Sequence, residues 1–274
     1  MRASLPRRVV CLTEESVETL YLLGREDLVV GVSGYARRPP AARLKPRVCA
    51  YVTADIPKIL ALEPDLVLGF SDLQAGIAKD LISAGLDVAV FNQRSLSEIL
   101  GVVRMTGALV GAATAAEKLA ARLAAGVERA ARRSRRLPAR PKVYFEEWDA
   151  PLISGIRWVE ELVEAAGGKP VFPELRGKGL AKERVVEPAE VARRDPDLIL
   201  ASWCGKKADL AAISRRPGWE AVSAVRRGLL REVPSTIILQ PGPAALTDGL
   251  AALERHVAEA ARVLSQAASK TKRV

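Results

Sequence analysis

The stretch LALEPDLVLGF, residues 60–70, returns in altered form as VARRDPDLILASW, residues 191–203. In each copy a proline, Pro64 or Pro196, stops a helix because it has no N–H to continue the ladder. An aspartate, Asp65 or Asp197, then holds the turn, and LVLG or LILA follows as the continuous apolar run of a strand buried on both faces. A helix feeding a buried strand, written twice about half a chain apart, points to two related α/β halves. At 274 residues with 49% hydrophobic composition, the chain exceeds the usual single-domain size and holds enough apolar side chains for two cores. No apolar run approaches the roughly 18 residues of a membrane span, so membrane insertion is not expected.

The alternation extends beyond the repeat. Strands are expected near 8–12, 29–33, 65–70 and 87–91, with helices near 14–23, 56–62, 73–84 and 96–110. This βα order implies a mostly parallel sheet covered by helices. From 112 to 136 the text becomes AATAAEKLAARLAAGVERAARRSRR, a run of strong helix formers with apolar residues at helical spacing. The pattern then restarts, with strands near 142–147, 197–202, 230–233 and 236–239 and helices near 157–166, 187–193, 206–214 and 245–265. The expected organisation is an N-terminal α/β lobe over 1–111, a connecting long helix over 112–136 and a C-terminal α/β lobe over 137–274.

A formal charge of +10 raises the question of nucleic acid, whose phosphates select basic faces. The densest basic run, RAARRSRRLPARPK from Arg129 to Lys142, falls at a helix end and the linker after it, with no recognition module or stacking motif beside it. Solvated helix and tail charges explain it, and no nucleic-acid partner is expected. Cys11, Cys49 and Cys204 have no metal-like spacing and read as free thiols. The chain passes from Met1 almost directly into RVVCL without the apolar stretch of a secretory leader. Together with the thiols this gives a cytoplasmic expectation, the alternative being a periplasmic protein whose leader was removed.

Aromatic residues are only 4% of the chain, so their positions carry weight. Tyr35, Phe70, Phe91, Trp148 and Trp203 all stand where a strand runs out. Open α/β sheets bind ligands beyond the carboxyl ends of their strands, which predicts a ligand cleft between the lobes, lined by flat apolar faces. Catalytic groupings are lacking: the sole histidine, His256, lies mid-way along an amphipathic helix, and no glycine-rich phosphate loop follows a strand. Binding rather than catalysis is expected, with no cofactor and no catalytic or metal-ligating residue. Lys206 and Lys207 could meet an anionic ligand group, although lysines opening a helix are usually solvated. Glu146 and Glu147 alternate at a strand end, so at most one faces the cleft; one solvated and one structural is the simpler expectation.

The succession RVVCLTEESVETLYLLGREDLVVGVSGY, RPP, ILALEPDLVLG, a long helix, PLISGIRWVEELVEAAGG and VEPAEVARRDPDLILAS resembles the solute-binding proteins of ABC importers for cobalamin, haem and ferric siderophores, its cobalamin-binding branch in particular. Gly155, Trp158, Glu161, Gly167 and Gly168 fall on that family's pattern. The resemblance implies two Rossmann-like lobes joined by one long helix, with a corrinoid or other metal chelate held in the cleft and little closure on binding. It further implies ligand contacts from Tyr35, Tyr51, Phe70, Trp148, Trp203 and Gln240, and an ABC permease as possible partner. The glutamate through which the first lobe of the family meets its permease is not evident in SDLQAGIAKDL, while Glu187 or Glu190 could serve on the second. The readings to separate are therefore a chelate-binding protein, a conventional periplasmic importer component for cobalamin or a ferric siderophore, and an enzyme acting on a bound chelate.

Overall fold

The computed structural model describes residues 5–271. Its contacts divide the chain into two compact units. One takes the chain up to Gln93, then Ser97–Ala124 and Pro241–Pro243; the other takes Arg94–Leu96, Ala125–Gln240 and the chain from Ala244 onward.

The first unit is built on five parallel strands, β1 (Val9–Cys11), β2 (Val29–Ser33), β3 (Arg47–Cys49), β4 (Leu66–Phe70) and β5 (Val88–Phe91), in the order β3-β2-β1-β4-β5. Side chains alternate across the sheet and sort the core into two layers. Val9, Cys11, Val32, Leu66 and Leu68 pack with Val17 and Leu20 of α1 (Glu14–Leu22). Val10, Leu12, Val48 and Val67 pack with Ile59 of α2 (Ile56–Leu60) and with Ile77 and Leu81 of α3 (Ala75–Ser83). The chain continues through α4 (Leu96–Leu109) into α5 (Ala113–Ser134), the long helix expected over 112–136, and the division between units falls within α5.

The second unit repeats the plan around β6 (Lys142–Asp149), β9 (Leu198–Ala201) and β10 (Leu230–Glu232), all parallel. On the far side of β6, β7 (Leu152–Ser154) is antiparallel and the two-residue β8 (Lys169–Pro170) parallel. Tyr144, Ile199, Trp203, Trp219 and Phe172 form one core layer. On the other face, Gly155 and Gly168 leave room for Phe145 and Val143 beside α6 (Arg157–Ala165). The helices α7 (Pro188–Arg194), α8 (Leu210–Ser214), α9 (Ser223–Arg226), α10 (Ser235–Ile238) and α11 (Leu250–Thr271) complete it, with a π-helical turn at Ala245–Gly249 ahead of α11.

The expectation of two α/β lobes with parallel sheets holds. One expected strand does not form: 236–239 lies mostly in the single turn of α10, where Leu239 N–H donates to Ser235 O at 3.0 Å. Its β-branched text suits a strand, but Pro234 at the N-cap starts a helical turn instead. The helix expected from 206 begins at Leu210, because Asp209 caps it by accepting from Ala212 N–H at 2.8 Å.

Candidate functional site

The order of the first sheet reverses between β1 and β4, and the loops after these strands are where open α/β sheets offer a candidate site. After β1, Thr13 Oγ1 donates to Glu15 Oε1 at 2.5 Å, while Glu15 Oε2 is buried with no hydrogen-bond partner among the described residues. Burial pushes the Glu15 carboxyl up to about 7 and the neighbouring Glu14 up to about 8. Gly242 packs its backbone on Glu15, since a Cβ there would lie 2.4 Å from Glu15 Cβ. Gln93, buried, donates to Pro241 O at 3.1 Å and fixes the same segment.

After β4, Phe70 is buried in the unit rather than presented at its surface. Its N–H donates to Gln74 Oε1 at 3.0 Å, and Gln74 Nε2 donates to Tyr51 O at 2.9 Å. Gln74 thus ties two of the expected site residues together; it is fully buried, and its only signal in the sequence is its place one turn past the end of a strand. Tyr51 is half-buried, and Tyr35, on the loop after β2, is 50% exposed. Ser71 holds a positive φ of 75°, a conformation side chains rarely adopt. It opens a recess of about 560 Å³ lined also by Asp72, Lys79, Ile82, Val90 and Asn92.

In the second unit the end of β6 carries a charge cluster. Glu146 is fully buried, accepting from Arg216 Nη2 at 2.8 Å and from Trp203 Nε1 at 3.1 Å. Glu147 pairs with the buried Arg184 at 2.7 Å. Both glutamates are therefore structural, and the expectation that one is solvated is corrected: a guanidinium waits on each side of the strand. Trp203 is itself 5% exposed, a core residue whose indole is fixed by Glu146. Trp148 is half-buried, with Nε1 donating to Ala150 O at 3.0 Å. Lys206 joins the two indoles: its Nζ lies 4.2 Å from the Trp148 ring centre and 4.7 Å from that of Trp203, and 2.8 and 2.9 Å from the Asp149 oxygens. Lys206 is thus engaged rather than merely solvated, as a lysine opening a helix would have been. Gln240, half-buried, lies on the separate loop after α10.

The residues on the resemblance pattern prove to be packing devices. Trp158 Nε1 donates to Ile238 O at 2.9 Å, Glu161 accepts from the Leu96 N–H at 2.8 Å, and Gly167 holds φ of 96°. His256 is buried on α11, and burial lowers its pKa. Burial raises the thiols of Cys11 and Cys49 to about 12 and about 11, which keeps them protonated and unreactive. Among the described residues no three His, Cys, Asp or Glu side chains gather for a metal ion, and no helix is long and apolar enough to cross a membrane.

Two α/β units built on largely parallel sheets are the fold that periplasmic binding proteins share. The chain belongs to the periplasmic binding protein family, whose model matches residues 9–236. A cobalamin-binding protein of Halobacterium salinarum is 30% identical over 222 residues, covering 76% of this chain and 57% of that protein. The chain thus spans little more than half the length of this relative. A possible iron-binding periplasmic solute-binding protein of Staphylococcus epidermidis superposes with a TM-score of 0.80 at 20% identity, over 93% of this chain and 99% of its own. The periplasmic heme-binding protein of Roseiflexus gives 0.77 at 24% identity, over 92% and 99%. At these identities the two structures establish the fold. The cytoplasmic expectation finds no support in a family of periplasmic proteins.

Proposed function

We propose that the chain is the ligand-binding component of an ABC importer and that its ligand is a metal chelate with a flat face, a corrinoid in the first place. The observation that carries this reading is the 30% identity, across 76% of the chain, to a protein named for cobalamin binding. The site chemistry agrees with it. Tyr35 and Tyr51 offer aromatic surface on loops after strands and Trp148 offers it from the end of β6, while Phe70 and Trp203 are both buried in the core behind. Gln240 adds an amide able both to donate and to accept. A haem or ferric siderophore is the second reading, favoured by the fold shared with heme-binding and iron-binding proteins. Periplasmic residence follows from the same reading. For a permease partner, Glu190 is already bound by Arg193 and Arg194 at 2.7 Å each, which leaves the exposed Glu187 as the better contact.

Titration of the full chain with cyanocobalamin, dicyanocobinamide and haemin, followed by quenching of indole fluorescence, tests this. Saturable single-site binding of a corrinoid is expected, and Trp148→Ala weakens it by about 1–3 kcal/mol while the far-ultraviolet circular dichroism stays unchanged. Binding of haemin alone moves the ligand to the second reading; binding of none of the three overturns the proposal.

A further inference from the structure

The Trp148 face meets an ammonium group of the chain itself. Lys206 Nζ sits over that ring and within hydrogen-bond reach of both Asp149 oxygens, and Trp203 completes the enclosure. Lys206 is 43% and Asp149 25% exposed, so the pair is open to water and to exchange of partners. Gly205 turns at φ of 76° with open space around it, and Lys206 N–H reaches Trp203 O at a long 3.4 Å. Firm anchors lie to either side, in the Trp203 indole bound to Glu146 and in Ala208 N–H bound to Glu232 at 3.0 Å. A four-carbon stem on such a turn can swing while its neighbours stay in place.

We propose that Lys206 makes the site selective for chelates bearing an acidic group on their rim: the ligand's flat face replaces the ammonium over Trp148, and the displaced ammonium pairs with the ligand's acid. This rests on the chelate-binding reading above. An aromatic face covered by an ammonium cannot stack a ligand ring on that side, so stacking there must break the Lys206–Asp149 pair. A neutral ligand returns nothing for that loss, whereas a carboxylate or phosphate gives the ammonium a new charge-assisted hydrogen bond. Asp149, already partly exposed, is left to water.

Two corrinoids that differ in one group test it: cobyric acid, with a free carboxylate on its rim, and cobinamide, in which that carboxylate is an amide. Both are titrated as dicyano forms against the full wild-type chain, Lys206→Met and Asp149→Asn. The wild type is expected to prefer cobyric acid by roughly 3–10-fold. Lys206→Met, which keeps an apolar stem and loses the charge, is expected to abolish the preference and to tighten cobinamide binding. Asp149→Asn, which frees the lysine, is expected to tighten binding of both. An unchanged preference in Lys206→Met overturns the inference alone, as does an equal loss of affinity for both compounds, which would make Lys206 a mere support of Trp148. Binding of neither compound to any of the three proteins removes the corrinoid reading itself, and this inference with it.

Discussion

Glu15 and Glu160 are carboxyl groups that folding takes out of water, each with its Oε2 lacking a hydrogen-bond partner among the described residues. Burial pushes Glu15 up to about 7 and Glu160 up to about 8, against an ordinary value of 4.5; the nearby Arg176 only partly offsets the shift at Glu160. Glu14, also pushed up to about 8 by burial and by Glu15 beside it, acts in the same sense. Above pH 4.5 the unfolded chain releases these protons while the folded chain keeps them, so each group lowers stability as pH rises toward 7 or 8. His256 works in the opposite direction: burial holds its pKa below 6.5, and acid therefore favours the unfolded chain there. Between pH 6.5 and 8 the histidine effect fades as the unfolded imidazole loses its proton, and the carboxyl effect outweighs it. The melting temperature is expected to fall across that window, and Glu15→Gln and Glu160→Gln are each expected to flatten the fall. A wild-type profile that is level or rising there contradicts the assignment.

Helix α4 contains two glycines that a propensity scale treats alike and the structure does not. A Cβ at Gly101 would meet nothing within 4 Å, whereas one at Gly107 would lie 2.2 Å from Ala116 Cβ on α5 and 3.2 Å from Ala112 O. Gly101→Ala is expected to stabilise by about 0.5–1 kcal/mol, because the unfolded chain loses freedom and nothing in the fold is disturbed. Gly107→Ala is expected to destabilise by about 1–3 kcal/mol, because α4 and α5 must move apart. Urea unfolding of both variants checks the pair, and a shared sign would show that the helices do not approach as described. Elements of this kind were legible where apolar spacing runs long, as in α4 and α5, and illegible where neighbours decide. The strands β3 and β7 have three residues each, and β7 is set by its pairing with β6 and with the 184–186 segment, so neither has a period to read. At the candidate site the aromatic positions were visible as strand ends, but their exposure was not. Phe70 and Trp203 are buried because Gln74 and Glu146, remote from each other in the text, bind the adjoining backbone and the indole.

The repeated turn explains why the whole molecule could be read as two halves. Glu63 and Asp195, the residues before each proline, hold φ of 46° and 48°. The next aspartate then performs the same task in both units. Asp65 N–H donates to Arg8 O at 2.9 Å while its carboxylate accepts from the Arg7 and Arg8 N–H groups at 2.8 and 2.9 Å. Asp197 N–H donates to Lys142 O at 2.8 Å while its carboxylate accepts from Lys142 N–H at 2.9 Å and from Arg227 Nη1 at 3.0 Å. Each aspartate pins the first residues of the central strand beside its own, β1 by β4 and β6 by β9, and so sets the register Val9 to Leu66 and Val143 to Leu198. Replacing either by alanine removes hydrogen bonds to a carboxylate and is expected to cost about 1–3 kcal/mol. Because each bond set is internal to one unit, the loss is expected to stay local. Hydrogen exchange followed by mass spectrometry should show faster exchange in β1 and β4 for Asp65→Ala, with β6 and β9 unchanged, and the reverse for Asp197→Ala. Acceleration in both sheets from a single substitution would show that the chain opens as one cooperative body, and the two halves would then be a repeat of sequence without being separate units of stability.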